Sequence, residues 1–123
     1  MISRRLQFFS LLLTVVTFQS SQAHAQVFDC FDSTNVNTVG PVGAAECAGM
    51  LIVDRNMLLN ATFSGADAFI TSAGGTNHFF GGANGGVFTG QVTNFNSIFE
   101  NKTAFNADID SWDTSRATSM RAM

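Results

Sequence analysis

The feature that most constrains the fold is a self-similarity near the C-terminus at an offset of 25 residues. Thr89 matches Thr114, Val92 matches Ala117, Thr93 matches Thr118, Asn94 matches Ser119, Phe95 matches Met120 and Ile98 matches Met123. Two of these are identities, four are conservative, and they fall on apolar and capping positions that packing would dictate. A period of about 20–50 residues is the mark of stacked repeats, in which each unit buries its apolar stripe only against its neighbours. Val92, Phe95, Ile98 and Phe99 fall at i, i+3, i+6 and i+7, which predicts a short helix with Thr93 as its N-cap. The chain holds 13 Phe, one Trp and no Tyr in a background with only 12% charged residues. That balance suits a thin core wrapped in hydrogen-bonding turns better than a compact enzyme.

The N-terminus reads as an export signal. Arg4 and Arg5 give a positive start, and Leu6 to Phe18 is an apolar run interrupted by Gln7, Ser10, Thr14 and Thr17. Ala23-His24-Ala25 then supplies the small-x-small pattern of a cleavage site. A membrane span needs about 20 apolar residues, so this run is too short to serve as one. Cleavage between Ala25 and Gln26 is expected, with no stable membrane insertion afterwards and a secreted or cell-surface location. The remaining 98 residues can form one small domain at most. Four basic side chains then face nine carboxylates, a formal charge of −5. Nucleic acid is excluded as a partner, because a phosphate backbone needs a basic footprint.

Cys30 and Cys47 are the only cysteines, and in an exported chain such a pair is most simply a disulfide. Closing a loop of about 17 residues is worth roughly 3 kcal/mol in the chain-entropy account. Residues 26–49 carry turn formers, including Asn35, Asn37, Gly40, Pro41 and Gly43. Met50-Leu51-Ile52-Val53 reads as a short buried strand, and Asp54 as the N-cap of a helix carrying Met57, Leu58 and Ala61. Residues 67–72 read as a strand and Ser72 to Thr76 as a turn. Phe79-Phe80 and Val87-Phe88 flank a glycine-rich loop and predict a hairpin.

Little here carries chemistry. His78 is the only histidine beyond the signal and is expected as a half-exposed strand residue, with no nucleophile motif to serve. Asp108, Asp110 and Asp113 are the best calcium candidates, and weak ones, since the EF-hand pattern of further ligands, a glycine and a closing Glu is absent. No other metal site and no cofactor is expected. Asn60-Ala61-Thr62 and Asn101-Lys102-Thr103 fit the N-glycosylation acceptor pattern, which matters only in a eukaryotic secretory pathway.

Residues 91–120 contain Gln91-Val92-Thr93-Asn94-Phe95-Asn96-Ser97-Ile98-Phe99 and Phe105-Asn106-Ala107-Asp108-Ile109-Asp110-Ser111-Trp112-Asp113-Thr114-Ser115. This stretch closely resembles the BspA-like surface repeat family, a leucine-rich-repeat-like domain of unknown function common in exported bacterial proteins. The family unit reads Phe-Asn-x-x-Ile-x-x-Trp-Asp-x-Ser-x-Val-Thr-x-Met, preceded by Val-Thr-x-Met-x-x-Met-Phe. Here Phe95 and Ile98 stand in place of methionines and Ala117 in place of valine. The family would continue with Phe after Met123, so a truncated N-terminal fragment is expected.

The resemblance implies an α+β fold, the start of a leucine-rich-repeat-like solenoid with a short helix and a short strand per 25-residue unit. After the signal peptide over 1–25, it implies a small mixed capping segment over 26–90, and the first repeat with the start of a second over 91–123. The repeat core would be Val92, Phe95, Ile98, Phe99, Phe105, Ile109, Trp112 and Met120, with Met120, Met123 and part of Trp112 uncovered at the C-terminal face. No catalytic residues come with the family. The expected role is therefore a non-enzymatic interaction or adhesion module for an unknown protein or surface ligand. The alternatives are the leader of a secreted hydrolase whose catalytic part lies beyond residue 123, or a purely structural envelope component. Edman sequencing of the exported protein is expected to start at Gln26, and a sequence starting at Met1 would rule out the signal reading.

Overall fold

The computed structural model describes residues 27–64, 66–82 and 85–123; the expected signal peptide and the cleavage site at Ala25 and Gln26 lie outside the described residues. The apolar run around Leu51 forms the spine. Its centre, strand β1 (Leu51–Ile52), is fully buried. Along one edge residues 37–40 run antiparallel, through Asn37 N–H to the Ile52 carbonyl at 2.8 Å and Ile52 N–H to that of Thr38 at 2.9 Å. Along the other edge lies β5 (Val87–Phe88), parallel to β1 with Leu51 opposite Val87 and Ile52 opposite Phe88. A strand covered on both faces shows a continuous apolar run rather than alternation, which is what these short segments carry.

Asp54 ends the spine and starts the only α-helix among the described residues. Its carboxylate accepts the Met57 N–H at 2.8 Å, the N-cap bond that opens α1 (Arg55–Leu59). A meander follows: β2 (Thr62–Ser64), β3 (Asp67–Thr71) and β4 (Asn77–Phe79), in antiparallel order β2-β3-β4. The expected turn at Ser72 to Thr76 closes it, with Ser72 N–H on the Thr76 carbonyl at 2.8 Å. Ala68 and Ile70 lie in the core, whereas Phe69 and Phe79 pair at 5.3 Å on the opposite face.

Two expected elements are not formed. The hairpin between 79–80 and 87–88 is absent: Phe79 pairs with Phe69, and Val87 pairs in parallel with Leu51. A parallel partner needs a crossover of a dozen or more residues, and the helix and meander between β1 and β5 supply it. The helix over Thr93–Phe99 is also absent. Asn94 Oδ1 accepts the Asn96 N–H at 2.9 Å and Ser97 sits at φ 60°, so local side-chain bonds and a left-handed residue replace the helical turn. Thr93 is accordingly not an N-cap. The fold is thus mostly short strands with one short helix, in small mixed sheets. A helix-plus-strand unit repeating every 25 residues is not present among the described residues.

The apolar stripe is nevertheless buried. Val92, Phe95 and Ile98 join Leu51, Val53, Leu58, Ala68, Ile70, Phe80, Val87 and Trp112 in one core, against which Phe99, Phe105 and Ile109 pack partly buried. Trp112 is 8% exposed, better covered than the repeat reading expects, and lies 4.9 Å from Phe80, 5.6 Å from Phe99 and 6.0 Å from Phe95. Met120 and Met123 are 46% and 36% exposed, as expected for a C-terminal face left uncovered.

A second, smaller core holds the Cys30–Cys47 disulfide together with Ala44, Ile52 and Phe88. Gly40 passes so close that a Cβ there would collide with the Cys47 carbonyl. The disulfide loop therefore lies against the spine and covers one of its edges.

Trp112→Ala is expected to lower unfolding free energy by about 3–5 kcal/mol, the usual cost of emptying a large aromatic site. Urea titration of the full chain followed by circular dichroism measures it, and a loss below about 1 kcal/mol would mean that the indole does not join the two halves.

Candidate functional site

The segment 93–97 sits between two neighbours, and its backbone groups are divided between them. Toward 118–121, the Thr93 carbonyl accepts from Thr118 N–H at 2.7 Å and Ser119 N–H at 3.3 Å, and from the Thr118 hydroxyl at 3.0 Å. Phe95 N–H donates to Ser119 at 2.8 Å and Ser97 N–H to Arg121 at 3.0 Å. Asn94 and Ser119 form a parallel bridge, so the 25-residue offset read in the sequence is a spatial pairing here. Asn96 adds its side chain, with Oδ1 accepting the Arg121 N–H and the Ser119 hydroxyl at 2.6 Å each.

On the opposite side a single side chain takes the place of a strand. Arg55 Nη1 donates to the Asn96 carbonyl at 2.7 Å and to that of Asn94 at 3.3 Å. Two carbonyls that would otherwise project from an open edge are held by a cation from the start of α1. Gln91 secures the leader in the same way, its Nε2 donating to the carbonyls of Cys30 at 2.8 Å and Asp32 at 2.9 Å. Phe31 meets Phe88 edge-on at 5.4 Å, and the Arg116 guanidinium lies 5.0 Å from the Phe31 ring centre. The buried Thr89 hydroxyl donates to the Asp113 carbonyl at 3.0 Å, a contact across 24 residues. Residues before and after Gly90 are therefore joined at several separate points.

The acidic candidates serve turns. Asp108 Oδ1 accepts the Asp110 N–H at 2.8 Å, and Asp113 Oδ1 accepts the Ser115 N–H at 2.9 Å. Among the described residues no three His, Cys, Asp or Glu side chains are grouped to hold a metal ion, and Asp108, Asp110 and Asp113 are not brought together. Hydrogen bonds from Ser115, its side chain first and its backbone second, hold the Asp113 carboxyl below the usual carboxylate range, and Arg116 adds a smaller electrostatic pull. Asp32 is lowered likewise by Thr34, through its backbone N–H and then its hydroxyl. For a lowered carboxyl the stabilisation is present above the ordinary carboxylate pKa and is lost as pH falls through the lowered value.

His78 is buried, not half-exposed, and neither ring nitrogen has a hydrogen-bond partner among the described residues. It sits opposite Ile70 in the meander and so points to the core face. Trp112 Nε1 is also buried and unpartnered. Each such group costs on the order of 1–3 kcal/mol, and neither is placed to pass a proton. Both glycosylation-pattern asparagines, Asn60 and Asn101, are exposed.

Arg55, Gln91 and Asn96 make the contacts at this joint that sequence reasoning missed. Each is an ordinary polar residue in an Asn- and Thr-rich chain, and only the Asn94-x-Asn96 spacing hinted at a local turn. Arg55→Met is expected to destabilise by about 1–3 kcal/mol, since two carbonyls lose a charged donor. Hydrogen exchange should show faster opening at Phe95 and Ser97, and unchanged exchange there would mean that the edge does not need the guanidinium.

The sequence pattern of a family described as "Mycoplasma protein of unknown function, DUF285" matches residues 76–123, somewhat less than half of the chain. The matched stretch takes in β4, β5 and both paired segments at 93–97 and 118–121. No curated protein and no solved structure matches the chain.

Proposed function

We propose that the protein is an exported, non-catalytic surface module of BspA-like repeats, in which residues 91–123 begin a stack and residues 26–90 cap it. The supporting observation is the parallel pairing of Thr93–Ser97 with Thr118–Arg121 at the 25-residue offset, inside the stretch that the family pattern matches. Repeats that bury their stripes only against neighbours require a terminal cap, and the Arg55 and Gln91 contacts give the leader that character. The role that follows is non-covalent binding of a protein or other surface ligand by the exposed face of the stack. Burial of His78 without a hydrogen-bond partner among the described residues, and carboxylates committed to their own turns, weigh against hydrolysis.

Two measurements test this reading. Antibody raised against the full chain should label intact source cells, and protease added outside should remove the label. Labelling only after permeabilisation would exclude a surface role. Copies of residues 99–123 joined behind Met123 keep the 25-residue period and are expected to cover Met120 and Met123. Burying such side chains is worth about 1.5–3 kcal/mol each, so the melting temperature should climb by several degrees per copy. Copies that leave it unchanged would show that the units do not stack.

A further inference from the structure

A cleft of about 530 Å³ opens beside α1, lined on one side by Asn56 and Asn60 and on the other by Thr62, Phe69 and Thr71. Asn37 from the leader and Asp54 at the head of the helix also line it. We propose that this cleft binds a neutral glycan. It lies in the leader, and the inference does not depend on the repeat reading.

Size comes first. Small-ligand sites fall between about 300 and 1,000 Å³, so this cleft takes a short oligosaccharide. Its lining contains no cation, which disfavours phosphates, sulfates and acidic sugars. Its one carboxylate, Asp54, already spends an oxygen on the helix cap, and a hard cation needs several oxygen ligands. The other polar groups are amides and hydroxyls, which donate and accept at once, set beside the apolar Val36, Met57, Phe69 and Ile70. A sugar hydroxyl has the same double character.

The groups are also free to act. The side chains of Asn37, Asn56 and Thr62 make no hydrogen bond to the described residues. Asn60 uses its Nδ2 on the Asn56 carbonyl at 2.9 Å and keeps its oxygen available. The Thr71 hydroxyl donates to Asn77 Oδ1 at 2.8 Å and can still accept. Half-buried Phe69, steadied by Phe79, offers an aromatic surface for the C–H face of a pyranose. Asn56 and Asn60 stand on or beside the helix, and Thr62, Phe69 and Thr71 on paired strands, so little ordering cost attends binding.

Saturation-transfer NMR tests the proposal on the full chain exported to a bacterial periplasm, where the cysteines can oxidise and Asn60 escapes the modification its Asn60-Ala61-Thr62 pattern would permit. The probes are cellotriose, maltotriose, mannotriose and chitotriose at up to ~10 mM, a range that captures weak millimolar sites, with sialyllactose as the acidic control. At least one neutral trisaccharide should show transfer. Asn56→Ala should weaken it about threefold to tenfold, the loss expected for one neutral hydrogen bond. That side chain is exposed and unbonded, so the melting temperature should not move. Phe69→Ala, checked for folding, should weaken binding by more than about tenfold if an aromatic stacking surface is lost. Absence of transfer from all four neutral sugars overturns the proposal. So does binding indifferent to Asn56→Ala, or sialyllactose bound as well as the neutral probes.

Discussion

Everything in this molecule leans on the packing of aromatic rings around one indole. Among the described residues the sheets are too small to stand alone: one has two strands, the other three, and no strand exceeds five residues. Trp112 meets Phe80 from the meander and Phe95 and Phe99 from the repeat segment, so the two halves share a single hydrophobic interior. Phe105 stacks on Phe99 at 4.2 Å and meets Phe63 edge-on, which extends the cluster to β2. Each ring adds on the order of 0.5–1.5 kcal/mol per aromatic contact beyond its area. A phenol in this interior would require a hydrogen-bond partner, and the indole nitrogen already has none among the described residues. Phenylalanine fills the space without that demand, in keeping with a chain that has 13 Phe and no Tyr.

The leader manages edges. A short strand left open invites pairing with another chain. Here the disulfide loop covers one side of β1, β5 covers the other, and Arg55 holds the outward carbonyls of Asn94 and Asn96. The three devices differ in chemistry, being a covalent loop, a backbone ladder and a charged side chain. They share one effect, which is to satisfy polar backbone without adding a long strand.

Local signals with a single physical meaning were legible in the sequence. Asp54 before Met57 and Leu58 announced a capped helix, the cysteine pair announced a bridge, and the Ser72 to Thr76 turn closed as expected. The 25-residue offset also emerged as a spatial pairing of Asn94 with Ser119. Signals with two meanings were misread. Val92, Phe95 and Ile98 carry helical spacing, yet buried turns give the same periodicity when asparagines take over the backbone bonds. Val87-Phe88 is too short to distinguish a hairpin partner from a parallel one. At the candidate site, Arg55, Gln91 and Asn96 were invisible because their bonds run to backbone carbonyls or to neighbours 23–61 residues away, and a linear pattern does not encode such partners.

The Asn96 side chain makes the joint between the two paired segments address-specific. A ladder built only of backbone groups looks alike at every second residue, so it can slide, and a slip of one residue turns every side chain to the wrong face. Asn96 Oδ1 receives both the Arg121 N–H and the Ser119 hydroxyl, and either displacement would forfeit the two bonds together. The joint thus checks its own alignment. The residue 25 places on from Asn96 is Arg121, whose side chain has donors but no acceptor. Arg121 therefore cannot repeat toward another segment the lock that Asn96 makes here.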